Sequence, residues 1–414
     1  MSKIIKISDD TFDTQLEKLP KDVVFCNKCV VSNQRPRIKF NLKVDGQCSA
    51  CDYAEEKKSI DWEQREKELQ ELCNNYRSKD GSWDVIVPSS GGKDSGMVAH
   101  KLKHKYGMHP LTITWAPFIY TDIGWKNFIA MKDKGFDNIL VHPDGELHRK
   151  LALLAFDLHG DGWDPFAYGQ NYLAWHLSIK FNVPLIFFGE NAEPEYGGDL
   201  KNKDNPSTPM DEWDDVFYKG SGVHKLIEEG LKRNIFNPVD LKKTSLDFYQ
   251  PPLKEDIKRV GCDMRWWSYY ENWVPQWNYY YAAENTGFTA NDDRSEGTYQ
   301  KYGSIDDKLD GFHFWMAYMK FGICRTTSDA AHEVRDGHIT RDEGVALVRK
   351  YDGEFPVKYW KDFLGYLDIT EKEFWYVADK YRSRHIWEPT KAKFAGYSPE
   401  AQYKLWRLKH QVDF

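Results

Sequence analysis

A series of brief apolar segments, each followed by an amphipathic one, restricts this chain more than any other feature. WDVIVP (83–88), LTITWA (111–116), NILVHP (138–143) and PLIFFGE (184–190) read as strands without hydrophobic–polar alternation. Such strands are covered on both faces, and helices between them supply the cover. GMVAHKLKHKYG (96–107) reads as one such helix, closed by Gly107, with others around 122–134, 146–158 and 169–181. The predicted class is therefore α/β, a parallel sheet with helices on both faces.

The flanking sequence differs. Residues 1–22 form a charged lead-in, 23–60 hold a cysteine cluster, and Ile60 to about Arg77 repeats Trp62, Leu69, Leu72 and Tyr76 at helical steps. The expected organisation is a lead-in (1–22), a cysteine module (23–60), an α/β domain (61–221) and a mainly helical region (222–414). Within it, 194–220 is polar and rich in Gly and Pro, and is expected to be a mobile excursion. No strand pattern is expected after residue 222. The run RWWSYYENWVPQWNYYY (265–281) holds nine Trp or Tyr residues. It fits a helical core stripe or a wall on which sugar faces stack.

PSSGGKDSG (88–96) lies between the first strand and its helix, where helix-end N–H groups can hold an anion. Two glycines allow close backbone approach, and the serines add donors. It is not a Walker A loop, because Val87 stands where the first glycine belongs and Asp94 follows the lysine. Nor is it the G-x-G-x-x-G dinucleotide turn.

Cys26-x-x-Cys29 and Cys48-x-x-Cys51 are two knuckles separated by 18 residues, a spacing suited to one tetrahedral Zn²⁺. An iron–sulfur cluster also takes four cysteines, and buried thiols or a redox pair are the metal-free readings. With all four positions filled by protein, the metal would be structural. Cys73, Cys262 and Cys324 stand alone.

SGGKDS resembles the SGGxDS signature of the PP-loop ATP pyrophosphatases, which cleave ATP to AMP and pyrophosphate. With the CxxC pair ahead of it, GENAEPEYGG (189–198) and the long segment 304–354, the chain looks like the N-acetyl sugar amidotransferase family. Those bacterial enzymes make acetamidino sugars for surface polysaccharide, including LPS and O-antigen, or for flagellin sugars of the pseudaminic-acid type. The resemblance runs from about Cys26 to Glu354 and implies ATP, Mg²⁺ and a structural Zn²⁺. It also implies an N-acetyl sugar substrate and separate glutaminase and cyclase-like barrel subunits, similar to those of imidazole-glycerol-phosphate synthase, that supply ammonia. The expected ATP site comprises Ser89, Ser90, Gly91, Gly92, Lys93, Asp94, Ser95, Trp115 and Gly189. Catalysis is expected of Lys93, Asp94, Glu190 and Asn191. Arg294, Glu296, Lys301, Asp306, Asp307, Lys308, Asp310 and Arg325 are candidates for substrate, phosphate or metal.

Composition narrows the rest. Lys and Arg number 57 and Asp and Glu 64, for a net charge of −7, so no basic excess points to nucleic acid. That counts against a PP-loop tRNA-modifying enzyme, the nearest alternative, and the intact loop counts against a non-catalytic zinc-ribbon protein. No apolar stretch is long enough to span a membrane, no signal peptide is evident, and a cytoplasmic protein is expected. Neither Cys262 nor Cys324 has the flanking glycines of a glutaminase nucleophile elbow, and Ser2 excludes an N-terminal cysteine nucleophile.

Overall fold

The four expected strands form at Val85–Pro88 (β1), Pro110–Trp115 (β2), Asp137–Val141 (β3) and Leu185–Phe188 (β4) in the computed structural model, which describes residues 7–209, 212, 222–239, 241 and 246–414. A fifth, Asp263–Trp266 (β5), corrects the expectation that strands end before 222. Its four residues open the aromatic run and are too few to show a period, although their burial alternates. All five are parallel, in the order β3-β2-β1-β4-β5. Trp387–Pro389 and Trp406–Leu408 make a separate antiparallel pair.

The helices that matter below are Ser49–Lys57 (α1), Trp62–Tyr76 (α2), Lys93–His104 (α3), Asp122–Asp133 (α4), Gly145–His159 (α5), Asp164–Phe181 (α6) and Ala192–Tyr196 (α7). Gly222–Lys232 (α8), Pro275–Asn285 (α9), Asp310–Phe321 (α10), Arg325–Asp336 (α11) and Glu371–Lys380 (α12) follow. Alternate residues of each strand serve opposite layers. Val85, Val87, Leu185 and Phe187 pack with Met97 and Leu102 of α3 and with Trp267 and Trp273. Ile86, Ile113, Ile186 and Met264 pack with Leu151 of α5 and Leu173 of α6. Both faces are dry, as continuous apolar strands require.

A second core unites Phe156 of α5 with Phe312 and Trp315 of α10 and Phe374 of α12. A third packs the four cysteines with Ala330 and Ala331 of α11. The helical region and the cysteine module are thus fused to the α/β unit through apolar contact. The excursion expected over 194–220 is described through Pro209 and at Glu212; its remaining residues lie outside the described set.

One buried carboxylate reinforces the join. Asp157 on α5 is wholly buried and pairs with Lys380 of α12 at 2.8 Å and with Arg233, just beyond α8, at 2.7 Å. Its carboxylate also accepts from the backbone N–H of Ser8. Removing one member of a buried ionic network strands the others in a dry site. Asp157→Ala is therefore expected to lower stability by about 3–5 kcal/mol, read as a drop in the denaturant midpoint without a change in slope.

Candidate functional site

The sheet order reverses between β1 and β4, and in open α/β sheets the crevice beyond the strand ends at such a point is where ligands bind. β1 and β4 pair only through Val85–Leu185 and Ile86–Ile186. The loops leaving their carboxyl ends, Ser89–Gly92 and Gly189–Asn191, flank the crevice.

The first loop is held by its neighbours. Ser89 N–H donates to Ile113 O at 2.8 Å, and the Ser89 carbonyl accepts from Thr114 Oγ1. Ser89 and Ser95 join through their hydroxyls at 3.0 Å, and Gly91 N–H donates to Ser89 Oγ at 3.3 Å. Gly91 has φ +85°, and a Cβ there would lie 2.6 Å from the Phe128 nitrogen in α4. Only glycine satisfies both the conformation and the space. Gly92 then serves as N-cap of α3, so the helix start faces the crevice.

A cavity of about 660 Å³ fills the crevice. Ser90, Gly91, Gly92, Lys93 and Asp94 line it from the loop, Glu190 from the end of β4, and Asp306, Asp310 and Arg325 from the helical region. Lys93 Nζ and Asp94 Oδ2 are 2.5 Å apart, and Asn278 of α9 donates to Asp94 Oδ1 at 3.0 Å. Burial first, and then the Asp94 carboxylate, push the Glu190 carboxyl up to about 7. Burial also raises Asp306 and Asp310, against hydrogen bonds from Ser90 and Ser304 that pull them down. The cavity therefore gathers carboxyl groups raised above their ordinary range, with Glu190 poised to exchange a proton near neutral pH.

The remaining sequence candidates lie elsewhere. Ser89 and Ser95 support the loop from behind. Trp115 is buried in the sheet core against Tyr249, and its ring leaves no room for a side chain at Gly169. Gly189 accepts from Ser268 N–H and gives way to Trp273, which a Cβ would approach to 3.0 Å. Asn191 caps α7 by accepting from Glu193 N–H at 3.2 Å. Asp307 receives the backbone N–H groups of Phe118 and Leu309, which fixes the loop after β2 to the helical region. Arg294 pairs with Glu354 at 2.6 Å, Lys308 with Asp362 at 3.0 Å, Glu296 accepts from Lys358 N–H, and Lys301 is exposed. None of the nine Trp or Tyr residues of 265–281 lines the cavity; that segment contributes Pro275 and Gln276.

Several lining residues were not singled out from the sequence. Asp329, His332 and Asp336 form, together with the sequence candidate Arg325, an inward stripe along α11, and Tyr302 stacks on Tyr279 with ring centres 4.4 Å apart. The i, i+4 charge spacing in RTTSDAAHEVRD was the available signal. Burial works against the charged form of His332, but Asp336 and Glu195 hold its pKa above the ordinary value.

The cysteine module forms one wall. The sulfurs of Cys26, Cys29, Cys48 and Cys51 are buried and all lie within 4.8 Å of one another. Cys26–Cys51 and Cys29–Cys48 are 3.8 and 3.7 Å apart. A tetrahedron with metal–sulfur bonds of about 2.3 Å has an edge of about 3.8 Å. Lys28, Cys29 and Cys48 N–H groups each point at Cys26 Sγ at 3.4 Å, as partners of a thiolate do. The four thiols thus make a metal-binding group suited to Zn²⁺.

Residues 296–398, about a quarter of the chain, match the profile of a family described as "LPS biosynthesis protein WbpG-like, C-terminal domain". The match links the segment that closes the cavity opposite the SGGKDS loop with LPS biosynthesis. No curated protein matches the chain. Among the described residues, no helix is long and apolar enough to cross a membrane.

Elemental analysis of protein purified without added metal is expected to give one zinc per chain. Cys48→Ser/Cys51→Ser should lose it and destabilise the α11 contact, whereas zinc retained at full occupancy in that variant would exclude this site.

Proposed function

We propose that the chain is an ATP-dependent amidotransferase acting on a nucleotide-linked N-acetyl sugar in bacterial surface-glycan synthesis. The observation that carries this reading is the meeting of two parts in one cavity. The SGGKDS loop, suited to an ATP pyrophosphate, faces a segment matching an LPS-biosynthesis family.

An acetamide resists ammonia because its nitrogen lone pair feeds the carbonyl. Attack of the acetamido oxygen on the α-phosphorus of ATP would form a P–O bond and expel pyrophosphate. Ammonia then adds to the activated carbon, a proton is removed, and AMP departs with the former acetyl oxygen, leaving an amidine. Ser90, Gly91 and the start of α3 offer N–H and hydroxyl donors to phosphate oxygens, and Lys93 supplies positive charge. Mg²⁺ on the phosphates would neutralise charge as pyrophosphate departs, with Asp94, and Asp306 hydrogen-bonded to Ser90, the carboxylates beside the loop. Zn²⁺ in the four-cysteine module would hold that wall of the cavity in place.

Glu190 is the residue suited to take the proton from ammonia. Its carboxyl, pushed up to about 7 by burial and Asp94, is neutral below that pH and a base above it. Ammonia itself comes from outside this chain in our reading, delivered by separate glutaminase and barrel subunits. Cys324 lines the cavity, yet burial and then Asp352 push its thiol above the ordinary range, opposite to what a nucleophile needs.

The test is incubation with ATP, ammonium and a panel of N-acetyl sugars. AMP, pyrophosphate and an amidine product are expected, and ADP with orthophosphate would reject the reading. Asp94→Ala should abolish pyrophosphate release while leaving the fold intact. Ammonium salts should serve and glutamine should not, so glutamine-dependent turnover by the isolated chain would expose a missed active site.

At fixed free ammonia, kcat/KM should rise as pH passes about 7, because ionisation creates the base. Glu190→Gln should flatten that profile and lower amidine formation about 100-fold or more, with ATP binding retained. A profile unchanged in Glu190→Gln would remove that residue's role.

A further inference from the structure

Among the described residues, five lysine or arginine side chains line the cavity, and four of them are paired with a carboxylate of the protein. Lys93 pairs with Asp94 at 2.5 Å, Lys320 with Asp13 at 2.7 Å, Arg325 with Asp329 at 3.0 Å and Arg37 with Glu193 at 2.6 Å. Arg35 has no carboxylate within ion-pair distance among the described residues. Its guanidinium lies 5.9 Å from the centre of the Tyr196 ring. Glu193 attracts it from farther away, while Arg335 and Arg37 oppose it.

Arg35 is half-buried in the cavity wall, and a guanidinium there without a counter-charge is free to take one from a ligand. The surroundings hold Arg35 in place all the same. Arg35 N–H donates to Ser32 O at 3.4 Å, in a turn directly after the Cys26–Cys29 knuckle. The neighbouring Gln34 side chain donates to Pro20 O at 3.0 Å and accepts from His385 at 2.8 Å. Two residues on, Arg37 is locked to Glu193 of α7. A turn pinned on both sides thus carries an unpaired guanidinium to the cavity wall. Its planar fork matches a phosphate or carboxylate.

We propose that Arg35, carried into the cavity by the cysteine module, binds the anionic group of the acceptor that shares this cavity with ATP. The acceptor is thereby an acidic molecule, through a phosphate or a carboxylate. Zinc, in this arrangement, aims a substrate-binding residue as well as stabilising a fold. The proposal rests on the reading of an ATP-using amidotransferase and adds the residue that binds the anionic part of its acceptor.

Titration calorimetry on the full chain, with and without a non-hydrolysable ATP analogue, tests this with three probes. UDP-N-acetylglucosamine carries a diphosphate, N-acetylneuraminate a carboxylate, and N-acetylglucosamine no charge. At least one anionic probe should bind about 10-fold or more tighter than the neutral sugar, and Arg35→Gln should weaken it about 10- to 100-fold. Arg35→Lys should recover part of the loss, since it keeps the charge but not the fork. ATP-analogue affinity and the melting temperature should not change, because the Arg35 side chain makes no hydrogen bond or ion pair among the described residues. Equal binding of all three probes, binding of neither anionic probe, or an anionic probe indifferent to Arg35→Gln would overturn the proposal. So would an equal loss of ATP-analogue affinity, which would assign Arg35 to the nucleotide. Failure of the ATP reading itself is separately visible, as absence of analogue binding to the unaltered protein.

Discussion

β1 and β4 touch through two residue pairs and then part. That brief pairing determines where everything else in the molecule can act. Because β2 and β3 lie to one side of β1 and β5 beyond β4, the loops leaving β1 and β4 turn apart and leave a gap between them. The gap would be an ordinary surface notch without a roof. Residues 302–336 provide one, attached by Asp307 to the loop after β2 and by the close approach of Gly124 in α4 to Asp306. A Cβ at Gly124 would lie 2.5 Å from the Asp306 Cα, so the seam tolerates no side chain there.

The cysteine module closes the third side. Its coupling to the rest is electrostatic as well as apolar. Lys57 of α1 pairs with the buried Glu195 of α7 at 2.9 Å, and Glu195 lies 3.5 Å from His332 of α11. Arg335 donates to the Glu195 carbonyl at 2.8 Å. Three parts of the chain that are far apart in sequence therefore share one buried charge cluster around the GENAEPEYGG loop. Such a cluster contributes little net stability compared with apolar packing, but it holds the walls in one relative position. Under the proposed function, which places two ligands in this cavity, that rigidity would keep them in register.

Much of the α/β unit was legible in the sequence because its signals are local. Each of the first four strands is an apolar run between polar helices, and the SGGKDS loop sits where strand-to-helix geometry places it. β5 escaped because four residues merge into a longer aromatic run. The site was legible in part. Ser90–Asp94, Glu190, Asp306, Asp310 and Arg325 converge, whereas Arg294, Glu296 and Lys308 are engaged by Glu354, Lys358 and Asp362 away from the cavity, and Lys301 is exposed. Charge and proximity in sequence do not say which way a side chain points. Arg35, Tyr302 and the α11 residues Asp329, His332 and Asp336 were missed because their role depends on long-range packing that no local period records.

The central claim is that ATP and an acetamido acceptor react with each other inside this cavity. An acceptor carrying heavy oxygen in its acetyl group tests it most directly, with mass spectrometry of the AMP released during turnover with ammonium. Transfer of the acetamido oxygen to phosphorus predicts that the label appears in the phosphate of AMP and leaves the sugar. AMP free of label, with the heavy oxygen retained on the sugar or released to water, would contradict the account.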